Sequence, residues 1–261
     1  MKVYLLGISI FMLLPFTVFA KDPFSTSPWQ GSLSNTLSST INTVHQTVYN
    51  DFSGTLRYML TEQMTVLSNI GFVKTFTQDQ KLLLKDLFLE LNHNDLYIHS
   101  QTDIHLRGYV RTFLPTSQKS KNQSQINATK LGFGLSKNIE KLNFGYELSG
   151  STFLHEYQTA LNQTSNTAYG MTNTFLAGYA LLKNLNLQTA WTLMNFKTYG
   201  SSPKSTYSFV QELSYAPLEK MNLAFGFSTG GRQYKNNGKE LNLSVFDLDA
   251  TEVFLGVSYE I

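Results

Sequence analysis

The chain has no cysteine, few prolines and little charge, and beyond its first twenty residues it has no apolar run approaching the ~18 residues that a membrane helix requires. Each shortage removes a class of protein. Without cysteine an exported chain cannot be stapled by disulfides, nor can it be a lipoprotein, which needs a Cys just after the cleavage site. Charged residues make up 15% of the sequence, against about 25% in soluble domains. The net charge of +2 has no clustered basic run behind it, so no nucleic-acid partner is expected. With no helical span available, a bilayer crossing has to be made by a closed barrel, because the edges of an open sheet stay unsatisfied in hydrocarbon.

What the chain does have is aromatic residues, 13% of the total with 14 Tyr and 19 Phe. Its 261 residues suit one large all-β domain. The N-terminus reads as a secretory signal peptide: Lys2, an apolar stretch from Val3 to Phe19 broken by Pro15, and Val18-Phe19-Ala20 at the cleavage positions. A membrane anchor is the alternative, but the run is short and holds a proline. Cleavage is expected after Ala20, leaving an N-terminal periplasmic segment over 21–37 and a membrane domain over 38–261.

The organisation is clearest from the C-terminus backwards. Val253, Leu255, Val257, Tyr259 and Ile261 alternate with Glu252, Phe254, Gly256, Ser258 and Glu260. Successive side chains of a strand point to opposite faces, so one face suits lipid and the other a lumen. The code repeats upstream: Met221, Leu223, Phe225 and Phe227 against Asn222, Ala224, Gly226 and Ser228; Leu185, Leu187 and Trp191 against Asn186, Gln188 and Ala190; Leu131, Phe133 and Leu135 against Lys130, Gly132, Gly134 and Ser136. Tight connections at 138–140, 183–184 and 217–220 alternate with long polar stretches at 116–128, 155–167, 198–205 and 231–250, the rhythm of a transmembrane barrel. Leu56 to Phe72 suggests a hairpin turning at Thr61 to Gln63, and His93-Asn94-Asp95 reads as a turn between strands. In the first segment Leu37, Ile41, Val44 and Val48 fit helical spacing better than alternation. The expectation is therefore an antiparallel up-and-down barrel of about twelve strands, or ten with an N-terminal helix.

From about Phe52 to Ile261 this pattern resembles the bacterial outer-membrane β-barrel proteins, porin-like members included, whose last strand alternates apolar residues and ends on a bulky apolar one. Members usually end in Phe where this chain has Ile261. The resemblance implies residence in the outer membrane of a Gram-negative cell, contact with its lipid, assembly by the barrel-assembly machinery through the C-terminal strand, and passive passage of small hydrophilic solutes without a cofactor. It leaves the oligomeric state open.

Alternation points Arg57, His105, Arg107, Arg111 and Lys130 into the lumen, with Asp86, Glu90, Glu147, Glu212 and Glu252 as the acids. Lipid exposure near the midplane would cost about 2–4 kcal/mol for each Arg or Lys. These charges make either a selective constriction or a salt-bridge network that fills the lumen. A lipid-modifying barrel enzyme would need a serine nucleophile with a histidine base, and His45, His93, His99, His105 and His155 sit in no such motif, so no enzyme, catalytic residue or metal site is expected. The polar stretch after Pro115, with Lys119, Lys121, Asn122, Gln123, Gln125 and Asn127, reads as an ordinary solvated outer loop.

Overall fold

The computed structural model describes residues 27–42, 46–77, 80–234 and 240–261. The expected signal peptide and its cleavage site, and His45 and Val44, lie outside them. None of the described helices is long and apolar enough to cross a membrane. The architecture is a ring of antiparallel strands: β1 (Trp29–Thr40), β2 (Val48–Met59), β3 (Met64–Thr75), β5 (Leu87–His99), β6 (Ile104–Leu114), β7 (Gln125–Ile139), β8 (Leu142–His155), β9 (Thr167–Leu182), β10 (Leu185–Thr198), β11 (Pro203–Leu218), β12 (Met221–Arg232) and β13 (Glu252–Glu260). Each pairs with its neighbours in sequence, and β1 closes the circle on β13 with Ser32 opposite Glu260 and Thr40 opposite Glu252. The short β4 (Leu82–Leu84) pairs only with β3, beyond the end of β5, and stands outside the twelve. Among the described residues one helix, α1 (Gln118–Asn122), interrupts the pattern.

The two ends of the ring differ. At one, turns of two to four residues join the strands at 60–63, 100–103, 140–141, 183–184 and 219–220. At the other, connections run from four residues at 199–202 to nineteen at 233–251. Strands of nine to sixteen residues match or exceed the ~9–11 that a tilted membrane strand needs. The outer face is apolar and exposed, as at Leu33, Ile70, Leu131, Phe175, Phe225 and Leu255. Tyr146, Trp191, Phe225 and Val257 share that face, with Glu147, Gln188, Ser214 and Ser258 on the other, as the alternation requires.

Two expectations change. The stretch suspected of helicity is no single element: Leu37 lies in β1, Ile41 just beyond its end, Val48 opens β2, and Val44 is outside the described residues; the ring begins at Trp29 rather than Ser38. The helical spacing therefore joins residues of two strands and their connection, while β1 itself puts only Trp29, Leu33 and Leu37 on its outer face as large apolar residues, separated there by Gly31 and Asn35. The supposed turn at His93-Asn94-Asp95 lies inside β5, where pairing with β6 shifts register between His93 and Tyr97. That irregularity carries the polar, turn-forming residues; the chain reverses only at 100–103.

Much of the inner wall is closely packed. Phe254 reaches across Gly226 toward Val210 and Ala190, where a Cβ on Gly226 would meet the Phe254 ring at 2.6 Å. On the other side Leu67 and Phe88 are buried inward-facing residues of β3 and β5.

Candidate functional site

The inner faces of β5 to β8 hold the densest group of charges. Glu90 and Arg111 are direct cross-strand partners, and the Arg111 Nη2 and Nε atoms meet Glu90 Oε2 at 2.5 and 2.6 Å. The guanidinium also stacks on Phe88, 4.4 Å from the ring centroid. Further round, Glu147 on β8 gathers three donors from two other strands. Arg107 Nη2 donates to Oε2 at 2.9 Å, the Tyr109 hydroxyl donates to Oε1 at 2.7 Å, and the Lys130 ammonium lies 3.7 Å from Oε1. Arg57, on β2, is within electrostatic reach of Glu90 and Glu260. On β5 to β8, Arg107, Arg111 and Lys130 therefore face Glu90 and Glu147, three cations against two carboxylates.

Arg107 and Tyr109 can reach Glu147 only by crossing β7, and two glycines clear the way. A Cβ on Gly132 would lie 2.4 Å from the Tyr109 ring, and one on Gly134 would lie 2.6 Å from Arg107 Nε. Both side chains lie flat over bare backbone, a close approach that no larger residue permits. Gly132→Val is expected to displace Tyr109 and cost about 1–3 kcal/mol as an overpacked site. Tyr109→Ala in the same chain should recover most of that loss. Urea midpoints of the single and double variants check this, and additive losses would show that the two residues do not compete for space.

The structure disperses the other expected site residues. Glu212 is on β11, opposite β5 in the ring, buried between Gln188 and Gly226, with no cation among the described residues in ion-pair distance. Glu252 accepts from the Tyr49 hydroxyl at 2.7 Å near the loop end. His105 sits near the turn end between Asp95 at 3.1 Å and Asp103 at 3.2 Å. Among the described residues no group of three or more His, Asp and Glu is arranged to hold a metal ion.

Asp86 proves to be a fastening rather than a wall charge. It follows β4 at the loop end, and its carboxylate accepts from the Ser117 backbone N–H at 2.8 Å and from the Ser120 hydroxyl. Ser117 caps α1, accepting from the Ser120 N–H at 3.1 Å, and both serines are buried. The loop after Pro115 is therefore folded and tied down, not a free solvated excursion. It carries α1 over the bore: Lys119 feels both Asp86 and Lys204, an inward-facing residue of β11 on the opposite side of the ring. Lys119 is reached by water yet crowded by protein. Burial and the Lys204 charge hold its ammonium below the ordinary lysine range, and Asp86 opposes them. The far side of the loop is locked as well. The Asn166 amide, almost fully buried, donates to the Gln123 and Tyr157 carbonyls at 2.8 and 2.9 Å, and the Leu161 N–H donates to the Asn122 carbonyl at 3.0 Å.

Sequence reasoning read Lys119 as part of a solvated loop and singled out neither Lys204 nor Tyr109 nor the paired glycines. A signal for the last was present: Gly132 and Gly134 occupy consecutive inward positions beside a strand with Arg107 and Tyr109. Nothing in the residues around Pro115 shows that Asp86, thirty-one positions before Ser117, will hold them.

Twelve antiparallel strands closed into a ring, apolar outside and polar within, define a transmembrane β-barrel of the outer-membrane type. No family model matches the sequence, and no curated protein matches it. In three dimensions the chain resembles an outer-membrane channel from Pseudomonas putida F1 at 14% identity, with a TM-score of 0.61 over 89% of this chain and 95% of that one. It also resembles the NanC porin, at 14% identity and a TM-score of 0.58 over 88% of this chain and 100% of the porin. A third likeness is to the KdgM porin in complex with disordered oligogalacturonate, at 10% identity and a TM-score of 0.50 over 87% and 98% of the two chains. At these identities the likeness is one of fold.

Proposed function

We propose that the protein is a porin-like channel through which small hydrophilic solutes, anions preferentially, diffuse passively across the outer membrane. The observation that carries this is the placement of cations: an excess on the β5–β8 wall, and Lys119 and Lys204 near enough to repel at the loop end. A solute entering there meets positive charge first and the mixed wall next. The similarity to channels and porins supports the reading, and the oligogalacturonate in the KdgM complex is an anionic carbohydrate of the kind such a bore would admit. In this reading the signal peptide is removed after Ala20, the short turns face the periplasm, and β13 guides assembly into the outer membrane. No chemical step and no cofactor is involved.

The test is conductance in a planar bilayer with a salt gradient across it. Anion preference should show in the reversal potential and should weaken as salt shortens the screening length to about 3 Å at 1 M. Lys119→Glu with Lys204→Glu should remove or invert it. Because the Lys119 ammonium is held below the ordinary lysine range, it loses its charge earlier than a free lysine as pH rises. Part of the preference should accordingly fade before ordinary lysines titrate. A folded barrel that passes no current would favour a second reading, an occluded structural or surface-interaction barrel, for which the buried packing of Leu67, Phe88, Glu90 and Arg111 speaks.

A further inference from the structure

We propose that residues 240–250, in the connection between β12 and β13, form a flap that lies down the outside of the barrel and beds its apolar side chains in the acyl region of the outer leaflet. Register places Tyr207, Phe209, Gln211 and Leu213 of β11 on the outer face, beside Gly231, Thr229, Phe227 and Phe225 of β12. Toward the turn end this face is bare, with Leu213 37% and Phe225 60% exposed. Toward the loop end it is covered, with Tyr207 at 3%, Phe209 at 7% and Thr229 at 3%. These residues point away from the lumen, so the cover is on the outside.

The flap supplies part of that cover. The Ser244 N–H donates to the Tyr207 hydroxyl at 3.0 Å, and the Phe246 ring meets Phe227 edge-on at 6.1 Å. The segment is folded and tied at both ends. The Asn242 N–H donates to the Gln233 carbonyl at 2.7 Å, Asn42 Nδ2 donates to Asp249 Oδ1 at 2.7 Å, and fully buried Thr251 accepts from the Asp247 N–H at 3.0 Å. Its large apolar side chains nevertheless keep much of their surface exposed: Leu241 61%, Val245 46%, Phe246 53% and Leu248 63%.

Contiguous exposed apolar surface of this kind marks a partner or a membrane. Here it continues the lipid-facing belt, since Phe227, against which Phe246 packs, is two residues along β12 from Phe225. Strand length explains the need for a cover: β11 has 16 residues where ~9–11 suffice to cross the hydrocarbon. The excess end of the wall, carrying Tyr207 and Phe209, is clothed by the flap, whose own apolar groups then meet the lipid. Continuity with the belt favours acyl chains as the occupant over a second copy of the chain.

The absence of cysteine from the sequence makes a clean test possible. Single cysteines at Val245, Leu248, Leu255 and Ser202 would each carry an environment-sensitive fluorophore in the full-length barrel, reconstituted in vesicles with or without lipid brominated along the acyl chain. Heat-modifiable gel mobility confirms folding of each variant. The Val245 and Leu248 probes should be blue-shifted and lose emission to brominated lipid to an extent comparable with the Leu255 probe on the barrel belt. The Ser202 probe, in the 199–202 connection, should instead be quenched by aqueous iodide. Iodide quenching at Val245 and Leu248 with lipid quenching intact at Leu255 would overturn the flap while leaving the barrel's placement untouched. Shielding that vanishes as protein is diluted in lipid would overturn it in favour of a second copy. Loss of lipid quenching at Leu255 itself would remove both the flap and the membrane placement on which it rests.

Discussion

Replacing Arg111 alone with methionine should destabilise the barrel by about 3–5 kcal/mol, because it strands a buried carboxylate. Glu90 is 3% exposed and meets the guanidinium at 2.5 Å. The double change Glu90→Leu with Arg111→Met should recover most of the loss, since a buried ion pair and apolar groups of similar volume are often close in free energy. Urea midpoints measured by tryptophan fluorescence separate the two outcomes. A single-variant loss under about 1 kcal/mol would mean the pair is hydrated and behaves as a surface bridge. The same logic divides Arg107 from Arg111: both face the lumen, but the second is an internal strut, and its removal is expected to change stability far more than ion preference.

The second large effect is at the mouth. Asp86→Ala removes the acceptor for both the Ser117 N–H and the Ser120 hydroxyl. It should free the 115–124 segment from the β5 side and raise single-channel conductance. Trypsin should then cut after Lys119 or Lys121 faster than in the parent barrel. Asp86→Asn keeps an amide oxygen to accept from Ser117 and should fall between the two. Cleavage without any rise in conductance would show that the segment is released yet does not narrow the path, and would remove α1 from the functional site.

Much of this barrel was legible in its sequence because the membrane imposes a period of two on every strand. Lipid-facing residues had to be apolar at Leu131, Phe133 and Leu135, and inward positions could hold Lys130, Gly132 and Gly134. Where that contrast weakens the reading weakens too: β1 offers Gly31 and Asn35 on its outer face, and small residues give alternation little amplitude. The charge cluster was legible as a list of inward residues but not as a geometry. Which acid meets which base depends on register between strands far apart in sequence, such as Arg107 on β6 and Glu147 on β8, and on glycines that let a side chain span the strand between. The tied-down loop was not legible, because polarity looks the same on a solvated excursion and on a segment fastened by buried hydrogen bonds such as those of Asp86 and Asn166.

The closure of β1 on β13 has a consequence for how the ring forms. The other pairings of the ring join consecutive strands, and each of those ladders can grow as a local hairpin. Ser32 and Glu260, by contrast, are 228 positions apart (260 − 32). Bringing such distant segments together costs chain entropy before any contact repays it, which makes this seam the slow, non-local event of assembly. Until it forms, β1 and β13 each present an unpaired edge, the arrangement most prone to pair with another chain. Opening the circle elsewhere, by joining the two ends of the strand array and cutting at 183–184, would leave the finished barrel unchanged. It would turn β1–β13 into a hairpin and move the late step to β9 and β10.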